Sequence, residues 1–305
     1  MISIDKIKGH IAVITANILF GLNVPITKNL ISNGLTPAGY IIIRVGFATA
    51  LFWLIGLFTP SEKVSVKDIS LLGIGGLFGV IVAQYLVGIS LEYTSPVYFS
   101  LMSAMSPAIV MLLAALFLKE PITVHKAVGV LIGILGAIIL IFNSSSVVGD
   151  NNLLGIIIAL ISVTSYALYL IIIRSVATKY NPLTQMKWTY LSACLFLLPI
   201  AEMSGQEPII PSFSLNMIAG LSFIIIFVTV IGFMLVPYGL RVLRPTTVSV
   251  YINLQPVVSS FVAIILGQDI ITWDKPIAGL LVMIGAYIVT TSPAKSRRGK
   301  LQTNI

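Results

Sequence analysis

Apolar residues run along this chain in blocks of roughly twenty, separated by short polar punctuation. The pattern predicts an all-α polytopic membrane protein of ten transmembrane helices, at approximately 9–30, 38–58, 69–91, 96–118, 125–142, 153–174, 182–201, 215–240, 246–266 and 275–292. The connections carry turn residues: Asn33-Gly34, Thr59-Pro60, the stretch 143–149, Asn181-Pro182 and the stretch 208–211. They leave no room for a soluble domain. The short apolar/polar alternation of a membrane β-barrel is not found in the sequence.

Composition agrees. The 305 residues are 57% hydrophobic and 9% charged, with mean hydropathy +1.05. That leaves too little polar surface for a fold in water. The formal charge of +8 would suit nucleic acid, but the basic residues sit in the connections and in a tail at 293–305. There they set membrane orientation. The partners expected are therefore the lipid bilayer and a small-molecule substrate, with no nucleic acid. Cys194, the single cysteine, lies in an apolar span and reads as a packing residue. The first span follows Lys6 and Lys8 as a signal peptide would, but it is too long and lacks a cleavage site.

Lys and Arg also orient the chain. With the N-terminus in the cytoplasm, fifteen of them fall inside, and three (Lys28, Arg44 and Lys275) fall outside or near that side. Both termini are then cytoplasmic, and a bacterial inner membrane is the expected location.

The chain contains one stretch twice, 91–142 and 240–291. Without a gap, Pro96 falls on Pro245, Ser100 on Ser249, Pro107 on Pro256, Thr123 on Thr272, Lys126 on Lys275, and Gly136-Ala137 on Gly285-Ala286. The match extends weakly to the opening spans, where Phe20 meets Tyr166, Lys28 meets Arg174 and Pro37 meets Pro182. Two repeats, 1–142 and 153–292, hold five spans each, so the second enters the membrane from the opposite side. Inverted repeats of this kind are a transporter device, because exchanging the conformations of the halves moves a central site from one side to the other. Small residues at Gly75, Gly79 and Ala83, and at Gly129, Gly133 and Ala137, mark close helix packing.

These residues carry a family resemblance. Ala16-Asn17-Ile18-Leu19-Phe20-Gly21-Leu22-Asn23 resembles the opening of the EamA-type transporters of the drug/metabolite transporter superfamily. So do Gln84-Tyr85, Gly88 and the run 91–95, and Ser106-Pro107 leading to the run 117–120. The second half repeats the pattern in Gln255-Pro256-Val257 and the run 266–269, where a Leu-Gly-Glu end is replaced by Leu-Lys-Glu and Leu-Gly-Gln-Asp. The resemblance implies ten helices in two inverted repeats and a central cavity lined by the first four helices of each. It also implies a scaffold role for the fifth helices, through which a homodimer could form.

Polar side chains inside spans are costly in lipid and point to function. The candidates for substrate binding are Asn17, Asn23, Arg44, Gln84, Tyr85, Ser103, Tyr166, Tyr169, Asn253 and Gln255. Bridging between neighbouring helices is the competing reading for each. The fourth and ninth helices are expected to face each other. Arg44 could receive a substrate carboxylate or phosphate, but its depth favours snorkelling to the outer surface. Tyr40 and Tyr93 read as interface anchors, as do Lys187 and Trp188.

What is missing narrows the mechanism. All ten acidic residues lie in connections or at span ends, which disfavours a cation–proton exchanger. No metal-ligand set, cofactor motif or catalytic constellation is found in the sequence, so neither an enzyme nor a cofactor is expected. The reading is alternating-access transport, with export of an amino acid or similar polar or zwitterionic metabolite. A multidrug or lipid-linked sugar exporter would share the architecture.

Overall fold

The structure, a computed structural model, describes residues 4–118, 123–143, 152–203, 214–268, 270 and 272–291. The motif end at 119–120, Asp269, the connections at 144–149 and 208–211, and the basic tail lie outside the described residues. The chain forms helical rods that we number α1 (Ile4–Ser32), α2 (Pro37–Gly56), α3 (Val66–Tyr93), α4 (Pro96–Phe117) and α5 (Val124–Asn143). The second repeat supplies α6 (Asn152–Arg174), α7 (Pro182–Met203), α8 (Leu215–Val242), α9 (Pro245–Ile265) and α10 (Asp274–Thr291). Seven of these rods are long and apolar enough to cross a membrane by length and composition, and α5, α7 and α10 are the others. No strand is found among the described residues.

Helix starts are written locally. Pro37, Pro96 and Pro245 occupy first-turn positions of α2, α4 and α9, where a missing N–H costs nothing. Side chains satisfy other open amides. Thr36 Oγ1 accepts from the Gly39 amide (3.0 Å), and Ser65 Oγ accepts from that of Asp68 (3.2 Å).

The repeats exchange their first helices. α1 packs chiefly on α8 and α9, whereas α6 packs chiefly on α3 and α4. This makes two bundles, one of α1, α8 and α9, the other of α6, α3 and α4. We call the end holding the start of α1 proximal and the other distal. Gly9 of α1 lies against Val242 and Leu243 at the proximal end, and Gly155 of α6 lies against Tyr93 and Thr94 at the distal end. The two contacts are equivalent and inverted. α4 and α9 run antiparallel, pressed together along both halves, so they face each other as the repeat predicts.

Irregularities recur as well. α3 carries a π-helical segment at Leu77–Val82, and α8 carries one at Ile224–Gly232. α4 loosens between Ser103 and Ser106, and α9 tightens into a 3₁₀ turn at Tyr251–Asn253. Pro107 and Pro256 follow these breaks, and each removes the N–H that would have bonded four residues back. The small-residue stripes do close packing: the Tyr169 ring lies on Gly79, and Gly285 of α10 meets the backbone of Gly129 and Gly133 on α5.

A side chain at Gly79 has nowhere to go except into the Tyr169 ring, whereas Gly46 faces open space. Gly79→Val should therefore lose about 1–3 kcal/mol of stability. Gly46→Ala should hold or gain slightly. Thermal unfolding in detergent checks both, and equal melting temperatures would contradict the packing.

Candidate functional site

Between the bundles lies a cavity whose empty space, open solvent included, is about 510 Å³. Its wall comes from both repeats: Asn23 of α1, Gln84 of α3, Ser103 and Ser106 of α4, Ser162 and Tyr166 of α6, Gln255 of α9. Phe20, Val87, Phe99, Phe233 and Ile252 supply the apolar share. A few polar groups set in an apolar wall is the usual make-up of a small-molecule site.

Several of these polar groups are held by their neighbours, whereas the Ser106 hydroxyl is buried without a partner. Gln255 Nε2 donates to Asn17 Oδ1 (2.8 Å) across the α1–α9 seam, and Asn17 Nδ2 donates to the Val13 carbonyl (2.9 Å). Gly21 permits that approach, since a side chain there would strike Val258 and the backbone of Gln255. Ser162 Oγ donates to the Ala83 carbonyl (2.8 Å) and Ser165 Oγ to that of Phe78 (2.7 Å). These bonds knit α6 to α3 where the π segment disturbs the helical ladder.

Behind the wall sits Arg44. It is 1% exposed, so it does not snorkel. The depth argument failed because distance along a helix says nothing about which way the residue faces, and this one turns inward. Nε donates to Thr229 Oγ1 (2.8 Å) of α8, and Nη1 to Gln84 Oε1 (2.8 Å) of α3 and to the Tyr40 hydroxyl. The guanidinium carbon also lies 5.8 Å from the centre of the Phe233 ring and 5.6 Å from that of Tyr40. Tyr40 is wholly buried, so it is a ligand of Arg44 and not an interface anchor. Thr229 is aimed inward by the π segment of α8, and its hydroxyl donates to the Ile224 carbonyl (2.8 Å).

Of the sequence candidates, Asn23, Gln84, Ser103, Tyr166 and Gln255 stand in the wall. Asn17 and Arg44 stand one contact behind it. Tyr169 is buried beneath Tyr166, the two rings stacked at 5.4 Å. Tyr85 packs at the margin of the main apolar cluster, and Asn253, within the 3₁₀ turn, is outside the wall. Thr229, Phe233 and Tyr190, whose ring meets that of Phe233 edge-on at 5.8 Å, were missed, although a lone Thr in the apolar run of α8 was a usable signal. At the proximal end of α7, Lys187 Nζ sits 4.5 Å from the centre of the Trp53 ring, and Trp188 meets the same ring edge-on. No group of three or more potential metal ligands occurs among the described residues.

Comparison with known proteins agrees with this architecture. The model of the EamA-like transporter family matches residues 7–142 and again 153–291. An uncharacterized transporter of Archaeoglobus fulgidus is 28% identical over 84% of this chain and 89% of its own length. The uncharacterized transporter YyaM of Bacillus subtilis is 25% identical over 82% and 83%. A WAT1-related protein of Arabidopsis thaliana is 21% identical over 98% and 88%. One crystal structure superposes with a TM-score of 0.67 at 17% identity, covering 94% of this chain and 96% of that one, which supports the fold alone.

The Asn17–Gln255 bond joins α1 to α9 beside the cavity. A double-mutant cycle of Asn17→Ala and Gln255→Ala, read by unfolding in detergent, should give a coupling of about 0.6–1.7 kcal/mol. Strict additivity would mean the two amides do not meet.

Proposed function

The chain belongs to the EamA-like transporter family and is a multi-pass membrane transporter; from that premise we propose that it moves a small metabolite, of the amino-acid type, by alternating access. The cavity between the bundles is the site. The proximal end, which carries most of the basic residues, faces the cytoplasm of a bacterial cell, and net flux is export.

One observation carries the mechanism. At the distal end Lys28 Nζ of α1 donates to the Leu91 carbonyl (2.5 Å) and the Thr94 carbonyl (3.3 Å) that finish α3. At the proximal end Arg174 of α6 donates to the Leu240 carbonyl near the end of α8. A cation on the last carbonyls of a helix is favoured by hydrogen bonding and by the helix dipole. Lys28 is the repeat counterpart of Arg174, and Leu91 of Leu240. Each bond crosses from one bundle to the other, and the two lie at opposite ends. They serve as the outer and inner latches of a rocking pair of bundles. Releasing one while keeping the other opens the cavity to one side.

The test uses Ser103→Cys as a reporter in the cavity wall, in a Cys194→Ser background, with a hydrophilic thiol reagent applied from either side. Lys28→Ala should speed labelling from outside and Arg174→Ala from the cytoplasm. Each is expected to shift the ratio about fivefold for a bond worth about 1 kcal/mol. Both variants moving the ratio the same way would sink the alternating mechanism.

A further inference from the structure

Arg44 has a donor to spare. Its Nη2 is buried and without a partner, while Nε and Nη1 bond only neutral acceptors, Thr229, Tyr40 and Gln84. The hydroxyls of Tyr169 and Tyr190 are also buried and unpartnered. The three side chains that carry them surround the ring of Phe233, with Arg44 Cζ 5.8 Å, the Tyr190 ring 5.8 Å and the Tyr169 ring 6.2 Å from its centre. Every one of them can donate a hydrogen bond.

The charge is the harder debt. The guanidinium carries a positive charge, so the site is cationic. Among the described residues the one ion pair joins Lys179 to Asp68, away from this site. Among the described residues no acidic side chain lies in the middle of a helix. A lone cation in an apolar interior costs several kcal/mol, and a neutral water would satisfy its donors but not its charge. What completes the site is an anion. One positive charge is balanced by one carboxylate, whereas a phosphate dianion would leave a negative excess. The planar fork of Arg can take a carboxylate with two parallel hydrogen bonds.

We propose that Arg44 receives the carboxylate of the transported solute, so the substrates are small monocarboxylates with an apolar body, amino acids among them. Gln84 and Phe233 both touch Arg44 and both belong to the cavity wall, so the guanidinium is one side chain from the solute. The carboxylate displaces Gln84 Oε1 from Nη1 and takes Nη2 as well. Nothing in the wall demands the ammonium: its polar members, from Asn23 and Gln84 to Tyr166 and Gln255, are all neutral. This inference rests on the cavity being the transport site.

Three probes of one skeleton separate the charges: phenylalanine, 3-phenylpropionate and 2-phenylethylamine. Thermal shift of the full-length protein in detergent should show stabilisation by the first two and none by the amine. Gln84→Glu supplies an internal carboxylate to Arg44. It should raise the melting temperature of the ligand-free protein and weaken binding of both acids by about tenfold or more. Arg44→Lys keeps the charge and loses the fork, and a folded sample should weaken the acids similarly. A lower melting temperature for Gln84→Glu, or stabilisation by the amine equal to that by the acids, would overturn the proposal. Silence from all three probes while the latch variants still label reciprocally would also overturn it and leave the transporter standing. Acid binding that survives without reciprocal labelling would keep the carboxylate site and remove the alternating mechanism.

Discussion

A buried guanidinium ties three helices of this bundle together, and the ground around it is arranged by that fact. Arg44 stands on α2, reaches Gln84 on α3 and Thr229 on α8, and so bonds to both bundles at once. In lipid such a group cannot be left to water, and its bonds must come from protein or from a bound solute. The π segment of α8 supplies Thr229, and Gln84 stands two residues past that of α3. Aromatic rings close the space, with Phe233 against Tyr166, Tyr169 and Tyr190. The irregular turns are therefore the means by which otherwise apolar helices present polar atoms to one point.

Inversion does the rest. Because each repeat lends its first helix to the other's bundle, one local contact made twice appears once at each end of the molecule. Gly9 and Gly155 show this for packing, and Lys28 and Arg174 show it for hydrogen bonding. The two bundles press together through α4 and α9, whose breaks fall at matching places. A seam with matched breaks and a closing cation at either end suits the pivoting proposed above. A seam of unbroken helices would resist it.

The helices and the repeat were legible in the sequence because lipid enforces apolar runs and because the second half still matches the first. Boundaries were poorer: α1, α3 and α8 run 29, 28 and 28 residues, longer than a membrane alone requires, so apolar length does not mark their ends. Asn23, Gln84, Tyr166 and Gln255 could be picked as polar residues in apolar spans, and they do share one cavity. Facing was the weak point. Tyr40 and Arg44 turn inward although the sequence placed both toward the outer surface, and Asn253 falls in a 3₁₀ turn outside the cavity wall. Thr229 was hidden in a run of otherwise apolar residues, where only the π segment reveals its direction.

The central claim is that the two bundles move as a reciprocal pair. Spin labels at Ser32 and Leu153 would span the distal end, and labels at Lys8 and Ser175 the proximal end, all four positions being exposed. Pulsed electron–electron distance measurements on each pair, in bilayers and across solute and buffer conditions, read both ends. The account predicts that any condition lengthening the distal distance shortens the proximal one in the same fraction of molecules. Distances that lengthen together, or that stay single and fixed under every condition, would contradict it.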